Sequence, residues 1–237
     1  NTAVGYAALY ANTTGAANVA LGKSALVANT TGSWNIALGY NALDANTTGT
    51  YNVALGTSSL TTATTAAHNT AVGADALGLT TTGANNTGIG SAALYANTTG
   101  AENTAVGKGS LDSNTTGIQN VAMGMNALQS NTTGGHNTSI GRESLYNNTT
   151  ASYNTAVGDN ALSANTTGVE NTATGFESMK TNTTGAGNAA FGRKSLHFNT
   201  TGANNTAIGK QALYTSTTAS NNTALGVSAL YLTTTGF

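Results

Sequence analysis

The stretch that decides the fold is NTAVGYAALYANTTGAA, residues 1–17, because the chain repeats it to its end. The next two copies read NVALGKSALVANTTGSW at residues 18–34 and NIALGYNALDANTTGTY at residues 35–51. Thirteen full copies and one of 16 residues account for all 237 residues, without insertion or deletion. A fixed short period is typical of solenoids, in which each repeat is one coil that buries a core only against its neighbours. Residues are therefore also identified below by their position, 1 to 17, in the repeat.

The near-invariant positions predict an all-β fold. Position 5 is Gly and positions 13 and 14 are Thr in all fourteen copies, and position 9 is Leu except for Met179. Two near-fixed glycines in 17 residues leave no room for a stable helix of about 12 residues. Pro is absent, which suits a ladder in which each backbone N–H donates. We predict a single-stranded parallel β-solenoid (β-roll or β-helix) of fourteen coils, one continuous domain over residues 1–237 that is an internal slice of a longer fibrous protein.

Positions 2 to 4 are predicted to form a strand that ends at the Gly of position 5, where φ is expected to be positive. Side chains alternate along a strand, so positions 2 and 4 share one side and position 3 takes the other. Position 2 holds Thr, Val, Ile or Ala, position 4 is mostly a larger aliphatic residue, and position 3 is mostly Ala. We therefore expect positions 2 and 4 to point inward and position 3 outward. Leu at position 9 is expected to form a second interior wall, and the NTTG segment a third short strand.

Position 1 is Asn in every copy, and stacked coils give this residue a structural role. Identical amides about 4.8 Å apart can hydrogen-bond along the stack, and Asn tolerates a left-handed corner. The predicted ladder consists of Asn1, Asn18, Asn35, Asn52, Asn69, Asn86, Asn103, Asn120, Asn137, Asn154, Asn171, Asn188, Asn205 and Asn222.

Charged residues make up 6% of the chain and all lie at positions 6, 7, 10 and 17, as do the histidines. These positions are expected to face water. Positions 3, 11, 13, 15 and 16 carry no charge in any copy and are mostly Ala, Ser, Thr or Gly. We predict that they form a strip that contacts identical strips in a symmetric, most simply three-fold, oligomer. The alternative is an exposed face that lacks charge.

Composition argues against several functions. The formal net charge is −1 without a basic patch, so nucleic-acid binding has little electrostatic basis. No run of about 18 apolar residues exists for direct membrane insertion, and Cys is absent. No catalytic, P-loop, zinc or EF-hand pattern appears, and eight acidic residues in fourteen coils exclude a calcium ladder. We predict no enzymatic activity, no cofactor and no metal.

Two further patterns bear on surface contacts. Ten NTT triplets, from Asn12 to Asn199, are formal N-glycosylation sequons, although the repeat alone explains them. Exposed aromatic residues are common in recognition surfaces, including those that stack on sugars, but they are also ordinary β-surface residues. The candidate ligand-facing aromatics are Tyr10, Trp34, Tyr95, Tyr146, Tyr214 and Tyr231.

The strings NTAVG, NVALG, NTAIG and NTALG, each followed by A/S-L, resemble the head repeats of trimeric autotransporter adhesins. The longer form NTAVGxxALxxNTTG is similar to repeats of phage tail-fibre-like proteins that end in a self-cleaving trimeric chaperone domain. The most specific part recurs at Asn69–Gly73, Asn103–Gly107 and Asn154–Gly158. The resemblance covers the whole chain and implies a left-handed coil, a homotrimer and surface attachment by a passive fibre.

The first functional hypothesis is therefore a non-enzymatic adhesin or tail-fibre shaft, extracellular, at a cell surface or on a virion. Its expected partners are two further copies of the chain and a cell-surface, matrix or glycan receptor. The alternative is a structural subunit that stacks end to end into a long filament. A third hypothesis, an ice-binding solenoid, is suggested by the Thr at positions 13 and 14, but adjacent residues point to opposite sides and leave one outward rank.

Overall fold

The computed structural model describes residues 1–234, and in this part of the chain it confirms the predicted parallel β-solenoid. Each repeat contributes one strand of three residues, at positions 2 to 4. The residues group into two compact units, Asn1–Gln119 and Asn120–Phe237. Whether both belong to one continuous domain stays a prediction, and Thr235, the last Thr of position 14, lies outside the described residues.

The strands follow the repeat without a gap. Those of the first unit are β1 Thr2–Val4, β2 Val19–Leu21, β3 Ile36–Leu38, β4 Val53–Leu55, β5 Thr70–Val72, β6 Thr87–Ile89 and β7 Thr104–Val106. Those of the second unit are β8 Val121–Met123, β9 Thr138–Ile140, β10 Thr155–Val157, β11 Thr172–Thr174, β12 Ala189–Phe191, β13 Thr206–Ile208 and β14 Thr223–Leu225.

Within each unit, neighbouring strands pair in parallel and in register, so that equivalent residues of successive repeats lie side by side. Ala3 pairs with Ala20, for example, and Ala156 with Ala173. Backbone bonds between coils continue beyond the strands, as from the Thr13 N–H to the Thr30 carbonyl at 2.9 Å. The expected strand in the NTTG segment was wrong, because bends interrupt that segment although its N–H groups still bond to the next coil.

The interior is lined by position 3, so the predicted strand orientation was wrong. Position 3 is buried in every coil after the first, whereas positions 2 and 4 are half-buried or exposed. The reason is the width of the coil. A Cβ placed on Gly88 at position 3 would lie 3.3 Å from Leu77 Cγ and 3.1 Å from the Ala93 carbonyl oxygen. Ala, Ser or Gly fits this gap, and Val or Leu does not, so the larger aliphatic side chains point outward.

The rest of the interior comes from positions 8 and 9. Position 8 is Ala or Ser, and the Leu of position 9, as predicted, is fully buried across most of each unit. Ser139 at position 3 donates to the Ser144 carbonyl at 2.8 Å across this interior. A single large side chain per coil therefore fills the space between two walls of small residues.

Three positions besides the Gly of position 5 adopt the left-handed conformation. Gly56 has a φ of +142°, as expected at the end of a strand. Positions 7, 9 and 17 also have positive φ throughout, as at Asp75 (58°), Leu77 (54°) and His68 (58°). Branching at Cβ makes this conformation a marked outlier, and none of these positions is ever Val, Ile or Thr. Three left-handed corners per coil let 17 residues close around so narrow an interior.

Candidate functional site

The position 1 Asn residues form a buried hydrogen-bonded ladder within each unit. In the first unit, Asn69 Oδ1 accepts the Asn86 backbone N–H at 2.9 Å, and Asn69 Nδ2 donates to the Gly83 carbonyl at 2.9 Å. In the second unit, the Asn205 backbone N–H donates to Asn188 Oδ1 at 2.9 Å, and Asn205 Nδ2 donates to the Ala219 carbonyl at 2.8 Å. The left-handed corner lies one residue earlier, at position 17. The ladder uses the amides to hold coils together rather than to present them to a ligand.

A second Asn ladder, which the sequence reasoning did not identify, runs along position 12. Asn165 Nδ2 donates to Asn148 Oδ1 at 3.0 Å and to the Gly168 carbonyl at 2.9 Å, and both amides are fully buried. A glycan on these sequon residues is incompatible with the folded coil, because the amide nitrogen is already enclosed. The ladder stops where Ala63 replaces Asn, which leaves the buried Asn46 Oδ1 without a hydrogen-bond partner.

Of the five positions in the predicted uncharged strip, positions 3 and 15 are interior, whereas positions 11, 13 and 16 are mostly half-buried or exposed. A Cβ on Gly100 at position 15 would overlap Asn97 Oδ1. Position 13 hydroxyls bond to the next coil, as from Thr81 Oγ1 to the Thr98 carbonyl at 3.1 Å. Charge is excluded from positions 3 and 15 by packing within the coil. Position 14 is the exposed Thr rank, from Thr14 to Thr218.

A further uncharged surface consists of the outward side chains of positions 2 and 4, called the outer face below. It is apolar or Thr in all fourteen copies and carries no charge in any of them. Leu21 is 48% exposed, Ile89 39% and Phe191 41%. Since the strands are in register, these side chains form continuous ranks along each unit. A contiguous exposed apolar surface of this kind marks an interaction site on a soluble protein.

The candidate aromatic residues divide into exposed and stacked ones. Tyr10 is 82% exposed and Tyr95 38%, whereas Tyr146, Tyr214 and Tyr231 are half-buried. Tyr214 stacks on Tyr231 with ring centroids 4.9 Å apart.

Trp34 heads a second stack at position 17, with Tyr51 at 6.3 Å and His68 a further 5.0 Å along. Stacking of neighbouring rings covers their faces and leaves mainly their edges open. These stacks therefore stabilise the surface, while Trp34, at the end of its stack, remains 58% exposed.

Several of the described ionisable groups form small pairs at the surface. Glu177 accepts from Lys180 at 2.7 Å and lies 3.2 Å from Lys194 Nζ, and the hydrogen bond from Lys180 chiefly lowers the pKa of Glu177. Positions 6 and 17 face water as predicted, whereas positions 7 and 10 are mostly half-buried, and His197 at position 10 is only 7% exposed. Burial lowers the pKa of His197 and raises that of Asp44. Among residues 1–234, no three His, Cys, Asp or Glu side chains converge as metal ligands would.

Comparison with protein-family models, with curated proteins and with solved structures gave no match to this chain. In the part of the chain that the structure describes, no helix is long and apolar enough to cross a membrane.

Proposed function

We propose that the chain is the shaft of a non-enzymatic extracellular fibre, an adhesin or tail fibre, and that three copies associate through the outer face. The observation that carries the proposal is that positions 2 and 4 are apolar or Thr in every copy while their side chains remain half-buried or exposed. A selected charge-free surface needs a reason, and packing within the coil gives none here, unlike at positions 3 and 15. The resemblance to trimeric adhesin and tail-fibre repeats supports three as the number of copies.

The outer face also has the geometry that self-association requires. Its ranks repeat at every coil, so copies lying side by side can match the same residues along their length. Burying these side chains between copies stabilises the association by about 25 cal/mol for each Å² of apolar surface that is removed from water. Neighbouring position 6, by contrast, carries Lys23, Lys108 and Arg142, so the charged side chains would border the contact rather than enter it.

The test is sedimentation of the chain and of two matched double variants. Leu55→Lys with Ile89→Lys places charges on the outer face, and Thr57→Lys with Ser91→Lys places them two residues along, at exposed position 6. We expect the wild type and the position 6 variant to be trimers. The outer-face variant should associate at least about 100-fold more weakly, because like charges facing one another in an interface cost several kcal/mol.

A wild type that is monomeric throughout the micromolar range would contradict the proposal, as would equal behaviour of the two variants. Electron microscopy of native material then separates short trimeric fibres from filaments of indefinite length. Binding of the trimer to cells, matrix or glycans tests the attachment role.

A further inference from the structure

An open pocket of about 230 Å³ lies in the first unit where Gly78 takes position 10. Gly78 is the only Gly at this position in the fourteen copies. The pocket lies between the coils of Ser58, Asp75 and Tyr95. The same coils depart from the repeat elsewhere, with Ala63 in place of the ladder Asn. We call this cavity the Gly78 pocket.

The second unit contains the same arrangement with the pocket filled. Seven repeats later, which is 119 residues, Gly78 corresponds to His197 and Tyr95 to Tyr214. The backbone frame is shared: Thr62 Oγ1 donates to the Gly78 carbonyl at 3.1 Å, and Thr181 Oγ1 to the His197 carbonyl at 2.8 Å. The chain therefore shows which group this frame accommodates.

That group is a flat ring held on its face and at one nitrogen. The His197 ring stacks on Tyr214 with centroids 5.3 Å apart and planes 14° apart. Its Nδ1 lies 3.0 Å from the Glu177 carbonyl oxygen. The ring is 7% exposed, so the frame encloses it almost completely.

The Gly78 pocket keeps both contacts available. Tyr95 occupies the place of Tyr214, and the Ser58 carbonyl that of Glu177. The Ser58 carbonyl accepts one hydrogen bond, from Thr61 Oγ1 at 2.6 Å, and a carbonyl oxygen can accept two. The Tyr95 ring leans toward Gly78, with Cδ2 2.9 Å from the place of a Cβ, and Tyr95 is 38% exposed.

Charge distinguishes the two frames. In the second unit burial chiefly disfavours the protonated form of His197, the nearby Glu177 carboxylate favours it, and Lys194 and Lys180 disfavour it. Their counterparts are Asp75 and Thr61. Asp75 is the one charged side chain among the described residues that line the Gly78 pocket, so the pocket favours a cation where its counterpart holds a neutral ring.

We propose that the Gly78 pocket binds an imidazolium ring, as in the side chain of histidine, stacked on Tyr95, hydrogen-bonded to the Ser58 carbonyl and attracted by Asp75. The site is independent of the fibre role proposed above, because all of its residues belong to one chain. A bound ring makes the same kind of contacts as the His197 ring and, in addition, an electrostatic interaction with the Asp75 carboxylate.

The experiment is titration of the full chain with imidazole, and separately with the peptide Gly-His-Gly, at pH 5.5, followed by NMR of the tyrosine rings. A ligand this small is expected to bind with about millimolar affinity and to shift the Tyr95 signals. Gly78→His, which fills the pocket as His197 does, should abolish binding. Asp75→Asn should weaken it about fivefold, the effect of one charge near 4 Å in water.

Two controls keep the outcome decisive. Because Tyr95→Ala lacks the ring whose signals are followed, binding to the two Tyr variants is read from the imidazole signals by saturation transfer from the protein. The transfer should be lost in Tyr95→Ala and kept in Tyr214→Ala, so the assignment stands on these variants even if Gly78→His disturbs the coil. At pH 8.5 imidazole is neutral, and the difference between wild type and Asp75→Asn should disappear. The proposal is overturned if imidazole causes no shift of the Tyr95 signals, if Gly78→His still binds, or if a neutral methyl glycoside competes for the same shifts with higher affinity.

Discussion

The Asn ladder of position 1 can be tested at one pair of adjacent residues, Asn85 and Asn86. Asn86 is fully buried, while Asn85, at position 17, is exposed and left-handed with a φ of 59°. Asn→Ala is thus the same substitution at both residues, once inside the ladder, at Asn86, and once outside it, at Asn85. Ala17 at position 17 shows that Ala is tolerated in the control position.

The magnitude follows from the contacts of the Asn86 side chain. Its Nδ2 donates to the Gly100 carbonyl at 2.9 Å and to Asn69 Oδ1 at 3.2 Å, and its Oδ1 accepts from Asn103 N and Nδ2 at 3.0 and 3.2 Å. A buried neutral hydrogen bond contributes about 1 kcal/mol net, so losing four predicts a destabilisation of about 4 kcal/mol. Asn85→Ala should change the free energy of unfolding by less than about 1 kcal/mol.

Urea denaturation followed by circular dichroism measures the two free energies. Coils of a solenoid can open separately, so the urea measurement should be combined with hydrogen exchange of the coils on either side of Asn86. We expect faster exchange of these coils in the Asn86→Ala variant than in the wild type. If both variants differ from the wild type by the same amount, the amides do not hold the coils together and the reasoning fails.

Three further tests, all by urea denaturation, use five substitutions. Leu94→Ile keeps the volume but branches Cβ at a φ of 54°, where a β-branched residue is strained, and should cost about 2 kcal/mol, whereas Leu94→Met should cost less than about 1.5 kcal/mol. Ala71→Leu, at inward-facing position 3, should destabilise the chain by about 1–3 kcal/mol, and Val72→Leu on the outer face should change its stability very little. If Val72→Leu is the more destabilising of the two, position 4 rather than position 3 faces the interior. Asp44→Asn should stabilise the chain at pH 7, because burial raises the folded pKa of Asp44 and its ionisation opposes folding. That gain should vanish below the ordinary value of 3.8, where the carboxyl is protonated in both states, and a gain that persists at pH 2.5 would contradict its electrostatic origin.

Much of the architecture could be predicted because the repeat leaves few alternatives. Equivalent residues recur every 17 residues, so parallel in-register stacking satisfies every copy in the same way. Gly at position 5 indicated a positive φ, and the buried Leu of position 9 indicated an interior wall. The left-handed corners at positions 7, 9 and 17 were also encoded, in the absence of Val, Ile and Thr there, but that signal was not used.

The candidate sites were harder to predict because they depend on which side of the coil is inside. The absence of charge from positions 3 and 15 has the same appearance in the sequence as its absence from positions 2 and 4. In the structure the first pair is enclosed, as the contacts of Gly88 and Gly100 show, and the second is exposed. The Gly78 pocket likewise emerges only when Gly78 is compared in space with His197.

The sequence by itself therefore determined the period, the strand of positions 2 to 4 and the parallel register, since these follow from local conformation and from repetition. The tertiary structure decided which face of that strand is buried. Alternation along a strand allows either choice, and hydrophobicity alone favoured the larger side chains of positions 2 and 4. The coil is so narrow that a side chain of about one methyl group fits between the backbone at position 3 and the Leu of position 9. Ala at position 3 is therefore buried, and the larger side chains of positions 2 and 4 lie on the surface.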